Sequence, residues 1–183
     1  MAITKIQSES LNLSDTYDFT GTVTGAGGIT QADVWRINSD QSISASTHTT
    51  FGSNWERADD PTNAYIGSGM SQSSGTFTFP ATGIYYITFN IYAYDTGSMH
   101  YFANKIFGTT DNSSYDQLAS LDIGIPNIGG SNYNGSTVSI FFDCTNTSTH
   151  KVQFRTYGTE SFNVAGDTDS NTTYATFIRL GDT

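Results

Sequence analysis

The sequence predicts an all-β protein, a sandwich or jelly roll of many short strands. Three observations predict it. Stretches such as FTFPATGIYYITFNIYAYD (residues 77–95) alternate with period two, which matches the alternation of side chains along a strand. Ser, Thr and Asn make up about a third of the chain while charged residues make up 13% against the usual ~25%, a chemistry suited to strands and turns. Clusters of Gly, Asn, Asp and Ser interrupt the apolar runs at short intervals, and we find neither a long amphipathic helix nor an internal repeat.

The 183 residues suffice for one domain with its own core. Residues 1–30 form a separate N-terminal arm. Leu11, Leu13, Tyr17, Phe19 and Val23 give it a thin alternating apolar pattern, and Thr24-Gly25-Ala26-Gly27-Gly28 ends it as a hinge. So short a segment cannot bury its own apolar face. It is either a leader or extra edge strand, or a docking arm that inserts Tyr17, Phe19 and Val23 into a larger assembly.

Residues 31–183 read as strand after strand, over 33–38, 47–51, 76–79, 84–94, 99–107, 117–123, 137–143, 151–157 and 173–180. Along 84–94, Tyr85, Ile87, Phe89, Ile91 and Ala93 share the buried face. Tyr86, Thr88, Asn90, Tyr92 and Tyr94 share the other, which is aromatic and polar but uncharged. Such a face suits packing against another sheet or subunit first and a ligand second. Ile140-Phe141-Phe142 and Phe177-Ile178 place bulky groups on both faces, as in an interior sandwich strand or one covered by a neighbouring subunit.

Composition excludes several functions. The net charge is −10 with only seven Lys and Arg, so no basic patch exists for phosphates, and neither nucleic-acid binding nor attraction to anionic membranes is expected. No run approaches the ~20 apolar residues of a membrane span. Cys144 is the single cysteine, which rules out an intrachain disulfide. The opening MAITKIQSES lacks the apolar stretch of a secretion signal. The expectation is a protein made in a cytoplasm that reaches its place by assembly into a particle.

Catalytic signatures are equally sparse. Cys144 and His150 flank a turn, but a nucleophile–base pair needs direct contact and an orienting third group. They read as a buried thiol and a surface histidine. No zinc spacing or phosphate-binding glycine loop occurs, and nothing singles out a carboxylate pair for sugar cleavage. We expect no enzyme and no required cofactor. Asp167, Asp169 and Asn171 alternate as calcium ligands do, yet the glycine and closing Glu of an EF-hand loop are missing, and an Asx turn accounts for the same residues. Calcium is the one candidate ion. Trp35, Trp55, Tyr65, Tyr94, Tyr101 and Tyr133 are aromatics that could stack on sugar or protein. Trp55, Tyr65 and Tyr133, placed in loops, are the chosen candidates for surface or glycan contact.

The run Phe77-Thr78-Phe79-Pro80-Ala81-Thr82-Gly83-Ile84-Tyr85-Tyr86 resembles the corner of the globular heads of the first complement component. These heads share the tumour-necrosis-factor-like jelly roll. Residues 41–51 resemble that family's early strands, 137–157 its late hairpin and 173–180 its terminal strand. The resemblance implies a jelly roll of eight to ten antiparallel strands and a homotrimer with Phe154, Tyr174, Thr176 and Ile178 in its intersubunit core. Animal members carry a collagen stalk or signal sequence, and this chain shows neither. Its opening 28 residues and its ending TFIRLGDT resemble those of marine bacteriophage virion proteins. That resemblance implies a structural protein of the virion: a trimeric knob held to other virion proteins by its arm, decorating capsid, head fibre or tail and contacting a host surface glycan or protein. The alternative is a glycan-binding or glycan-cleaving receptor module.

Overall fold

A computed structural model describes residues 28–59, 65–97 and 99–183, and among these it contains strands and no helix. In chain order the strands are β1 (Ala32–Ile37), β2 (Gln41–Ile43), β3 (Thr49–Thr50), β4 (Trp55–Arg57), β5 (Ser71–Ser73), β6 (Thr76–Thr78) and β7 (Gly83–Asp95). They continue with β8 (Met99–Thr109), β9 (Asp116–Ile125), β10 (Asn132–Cys144), β11 (Lys151–Gly158), β12 (Phe162–Val164) and β13 (Tyr174–Gly181). Each stretch expected to be extended contains a strand. Strand β10 starts earlier than expected, at Asn132, because it pairs with β7 along the full run from Asn132↔Asp95 to Cys144↔Gly83. The short strands β4, β5 and β12 were not anticipated, and β2 only through the family resemblance of residues 41–51, since three residues hold too little alternation to be read.

All pairings are antiparallel and form two sheets. The first runs β10–β7–β13–β1–β4, with β12 and β2 continuing from the far end of β7. The second runs β5–β6–β11–β8–β9, with β3 also on β11. Between them lies an aromatic core in which Phe77, Phe89, Phe154 and Phe177 meet Phe51 and Trp55, with ring centroids 4.6–6.4 Å apart. Edge-to-face and tilted pairs of this kind add to the hydrophobic gain of burial. Buried Asn104 ties the sheets together, donating from Nδ2 to the carbonyls of Phe89 (2.9 Å) and Ser136 (2.8 Å).

The Pro80-Ala81-Thr82-Gly83 corner aims β7 into the first sheet. Gly83 adopts φ 141°, and a Cβ there would lie 2.5 Å from both Arg179 Nε and the Gly181 carbonyl. Only glycine fits that close approach. The Tyr85 hydroxyl donates back to the Ala81 carbonyl (2.9 Å), and Arg179 Nε donates to the Thr82 carbonyl (2.8 Å). The corner is thus fastened to the strand that closes the sheet.

Candidate interaction face

The most distinctive surface is the outer side of β10, β7 and β13. Strand alternation turns Tyr85, Ile87, Phe89, Ile91 and Ala93 inward, all buried, and sends Tyr86, Thr88, Asn90, Tyr92 and Tyr94 outward. Register then places Tyr133, Gly135, Thr137, Ser139 and Phe141 of β10 directly opposite Tyr94, Tyr92, Asn90, Thr88 and Tyr86. On the other flank Tyr174, Thr176 and Ile178 of β13 stand opposite Asn90, Thr88 and Tyr86. None of these residues carries a charge. Phe141 is 71% exposed on β10, the edge strand that pairs with β7.

The aromatics on this face are organised in two groups. Tyr133 stacks on Tyr92 (5.4 Å, 17°) and leans on Tyr94 (5.2 Å). Phe141 packs on Tyr86 (5.4 Å). Tyr86 and Tyr92 are six positions apart on β7, about 20 Å of strand. Between the groups lies a polar floor in which Thr137 Oγ1 donates to Asn90 Oδ1. The Tyr94 hydroxyl donates to Asp40 Oδ2 (2.7 Å), and that bond to a carboxylate holds its pKa above the ordinary tyrosine value. Charge is met toward the margins: exposed Asp143 stands two residues beyond Phe141 on β10, Asp40 holds Tyr94, and buried Arg36 of β1 pairs with Glu56 and Asp59.

The structure brings together some of the sequence-derived candidates and separates others. Tyr174, Thr176 and Ile178 lie on this outer face, half-buried. Phe154 does not: it is 0% exposed in the core beneath Trp55, Phe77, Phe89 and Phe177, so it cannot reach another subunit. Trp55 is also corrected. It sits on β4 rather than in a loop, is 8% exposed, and donates from Nε1 to the Phe51 carbonyl (2.6 Å), which removes it from external contact. Tyr133 is 51% exposed but belongs to β10, not a loop. Tyr65 is 50% exposed next to the Ile66–Ala32 bridge, at the β1 side of the sheet, with the Arg57 guanidinium 4.6 Å over its ring. Tyr65 and Tyr133 therefore do not form one site. Trp35 is half-buried against Phe77.

The chemical candidates resolve in the same way. Asp167 Oδ1 accepts the N–H groups of Asp169 (2.6 Å) and Ser170 (3.0 Å), an Asx turn. Among the described residues no cluster of three or more His, Cys, Asp or Glu is placed to hold a metal ion. Burial pushes the Cys144 thiol pKa up, away from the reactive thiolate. His150, expected at the surface, is buried, and its ring nitrogens face Thr145 Oγ1 (3.1 Å) and Thr149 Oγ1 (3.2 Å) rather than the thiol. The docking candidates Tyr17, Phe19 and Val23 lie outside the described residues. Phe141 was not chosen as a site residue, because an Ile-Phe-Phe run reads equally as an interior strand or as one covered by a neighbouring subunit.

No family model and no curated protein matches the sequence. Solved structures do. The chain is similar to Eiger, a tumour necrosis factor from S. frugiperda, at a TM-score of 0.58 and 14% identity over 83% of this chain and 93% of that one. It is similar to murine APRIL at 0.59 and 12% identity over 82% and 98%. It is also similar to the PRD1 vertex protein P5, at 0.50 and 16% identity over 85% and 100%. Identities this low speak to architecture alone, and the architecture is an antiparallel two-sheet jelly roll of the tumour-necrosis-factor type.

Proposed function

We propose that this chain is a structural protein of a bacteriophage virion, a homotrimeric knob that decorates the particle and contacts the host surface. The observation that carries the reading is the uncharged aromatic face of β10, β7 and β13, above all Phe141 exposed beside Tyr86. Interface cores are depleted of charge and enriched in Tyr and Phe. Here a chain of net charge −10 keeps the outward run from Tyr133 to Phe141 on β10, with Tyr86–Tyr94 and Tyr174–Ile178 beside it, free of charge, and exposed Asp143 stands at its end. Closed symmetric assembly is the economical way to cover the same face on every copy. In this reading Tyr174, Thr176 and Ile178 join Tyr86 and Phe141 near the symmetry axis. Likeness of fold to a phage vertex protein and the phage-like opening of the sequence support a place in the virion, with residues 1–30 as the docking arm. The protein binds and builds in this reading; it catalyses nothing and needs no cofactor.

Native mass spectrometry tests the assembly. Three copies of the 19.8 kDa chain are expected, and a monomer at micromolar concentration would overturn the trimer. Imaging purified particles tests the location, with density for the knob expected in threefold groups on the surface.

A further inference from the structure

We propose that the opposite side of the molecule, the outer face of β11, β8 and β9, carries a binding site for a neutral hexose of a polysaccharide. An open cavity of about 650 Å³ lies there, lined chiefly by His48, Tyr101, Lys105, Gln117, Asp122 and Tyr157. Its size falls within the roughly 300–1,000 Å³ typical of small-ligand pockets. Register explains the hollow. Tyr157 of β11, Ala103 of β8 and Asp122 of β9 form one row across three strands, with Tyr101 and Lys105 two residues to either side of Ala103. Ala103 itself is buried, and the cavity is lined by the side chains around it.

The two halves of the lining suit the two halves of a sugar. The Tyr157 ring lies 4.8 Å from the His48 ring and 6.0 Å from the Tyr101 ring, with tilts of 36° and 32°. Together they make an aromatic wall for the C–H face of a pyranose, whose weakly positive hydrogens complement the negative face of an aromatic ring. Facing it, Lys105 offers donors, Asp122 offers acceptors and Gln117 offers both, the mixture that sugar hydroxyls need. Neither tyrosine hydroxyl nor the Lys105 ammonium is engaged in a hydrogen bond or ion pair with the described residues. Asp122 has only a long contact from Ser120 Oγ (3.5 Å). These groups are exposed or half-buried and ready to exchange water for a ligand. The net charge of −10 and the Asp122 carboxylate disfavour acidic sugars, which selects a neutral one. The site stands on the sandwich alone, so a chain that proves monomeric would leave it untouched.

Saturation-transfer NMR on the full chain decides the matter, with glucose, galactose, mannose and N-acetylglucosamine as probes and N-acetylneuraminic acid as the acidic comparison. Transfer to the ring protons of at least one neutral sugar is expected. Tyr157→Ala should weaken that binding by about tenfold, the loss of one aromatic contact. Gln117→Ala, exposed and outside the core, should also weaken it and keeps the test standing if Tyr157→Ala disturbs the sheet. Ile128→Ser, in an exposed loop, should leave it unchanged. Absence of transfer to all four neutral sugars, binding that survives both substitutions, or preferential transfer to N-acetylneuraminic acid would each overturn the proposal.

Discussion

The two outward faces of the sandwich are built from the same strand alternation and differ in what that alternation displays. On β10, β7 and β13 the outward positions hold Tyr, Thr, Asn, Ser, Gly, Phe and Ile, with a single carboxylate, Asp143, near the end of β10. On β11, β8 and β9 they hold Lys105, Arg155, Phe107, Tyr157, Ser120 and Asp122, with the Arg155 guanidinium 4.1 Å over the Phe107 ring. The first face has one carboxylate, Asp143, to keep wet at its end. The second would have to strip water from cations and carboxylates, at several kcal/mol for each unpaired ion. One chain thus supplies a surface suited to burial and a surface suited to remaining wet, while the core between them favours neither.

The strongest challenge to that contrast is a change that strikes both faces together. Phe154→Ala should cost about 3–5 kcal/mol through the cavity it leaves between the sheets, read as a lowered midpoint in chemical denaturation. If it instead altered association with stability intact, Phe154 would belong to an interface after all. A charge placed on each face in turn sharpens the contrast. Phe141→Asp should break the trimer into monomers, because burying an unpaired carboxylate costs several kcal/mol, whereas Ser120→Asp on the wet face should leave the native mass unchanged. Equal behaviour of the two variants would erase the distinction. The smallest effect concerns acid. Asp111, in the turn between β8 and β9, accepts the N–H groups of Ser114 and Ser113 and the Thr109 hydroxyl, each at 2.8 Å. These bonds, the Ser114 N–H foremost, hold its carboxyl well below the ordinary range. A depressed folded-state pKa stabilises above the unfolded value and is lost as pH falls toward the folded one. Asp111→Ala should therefore be slightly less stable than the parent at pH 7, with the gap narrowing below about pH 4.

Much of the scaffold could be read from the sequence because its long strands alternate cleanly. Strand β7 shows its inward set in full, whereas period two alone left open which parity of β13 faces outward, and pairing with β7 places Tyr174, Thr176 and Ile178 on the outer face. Phe154 went astray although β11 holds the needed information. Val152, Phe154 and Thr156 are buried there, while polar Gln153 and Arg155 mark the other side. Trp55 was misplaced for a different reason: a three-residue strand amid turn residues looks like a loop, and its burial follows from pairing with β1. Of the hexose site only Tyr101 was named from the sequence, as one of several aromatics able to stack on sugar. Its residues come from the segment before β3 and from β8, β9 and β11, and only the pairing of strands distant in the chain gathers them.

The position of β13 has a consequence for how the protein is made. It is the last strand of the sandwich in chain order, yet it lies between β7 and β1 in the middle of the first sheet. Until residues 174–181 emerge from the ribosome, that sheet has a gap at its centre, and Arg179 is not there to fasten the Gly83 corner. Vectorial synthesis cannot complete this fold piece by piece. The nascent chain must carry two open strand edges until the final strand arrives, which makes the closing step long-range, slow by nature and the moment of greatest risk of pairing with the wrong copy.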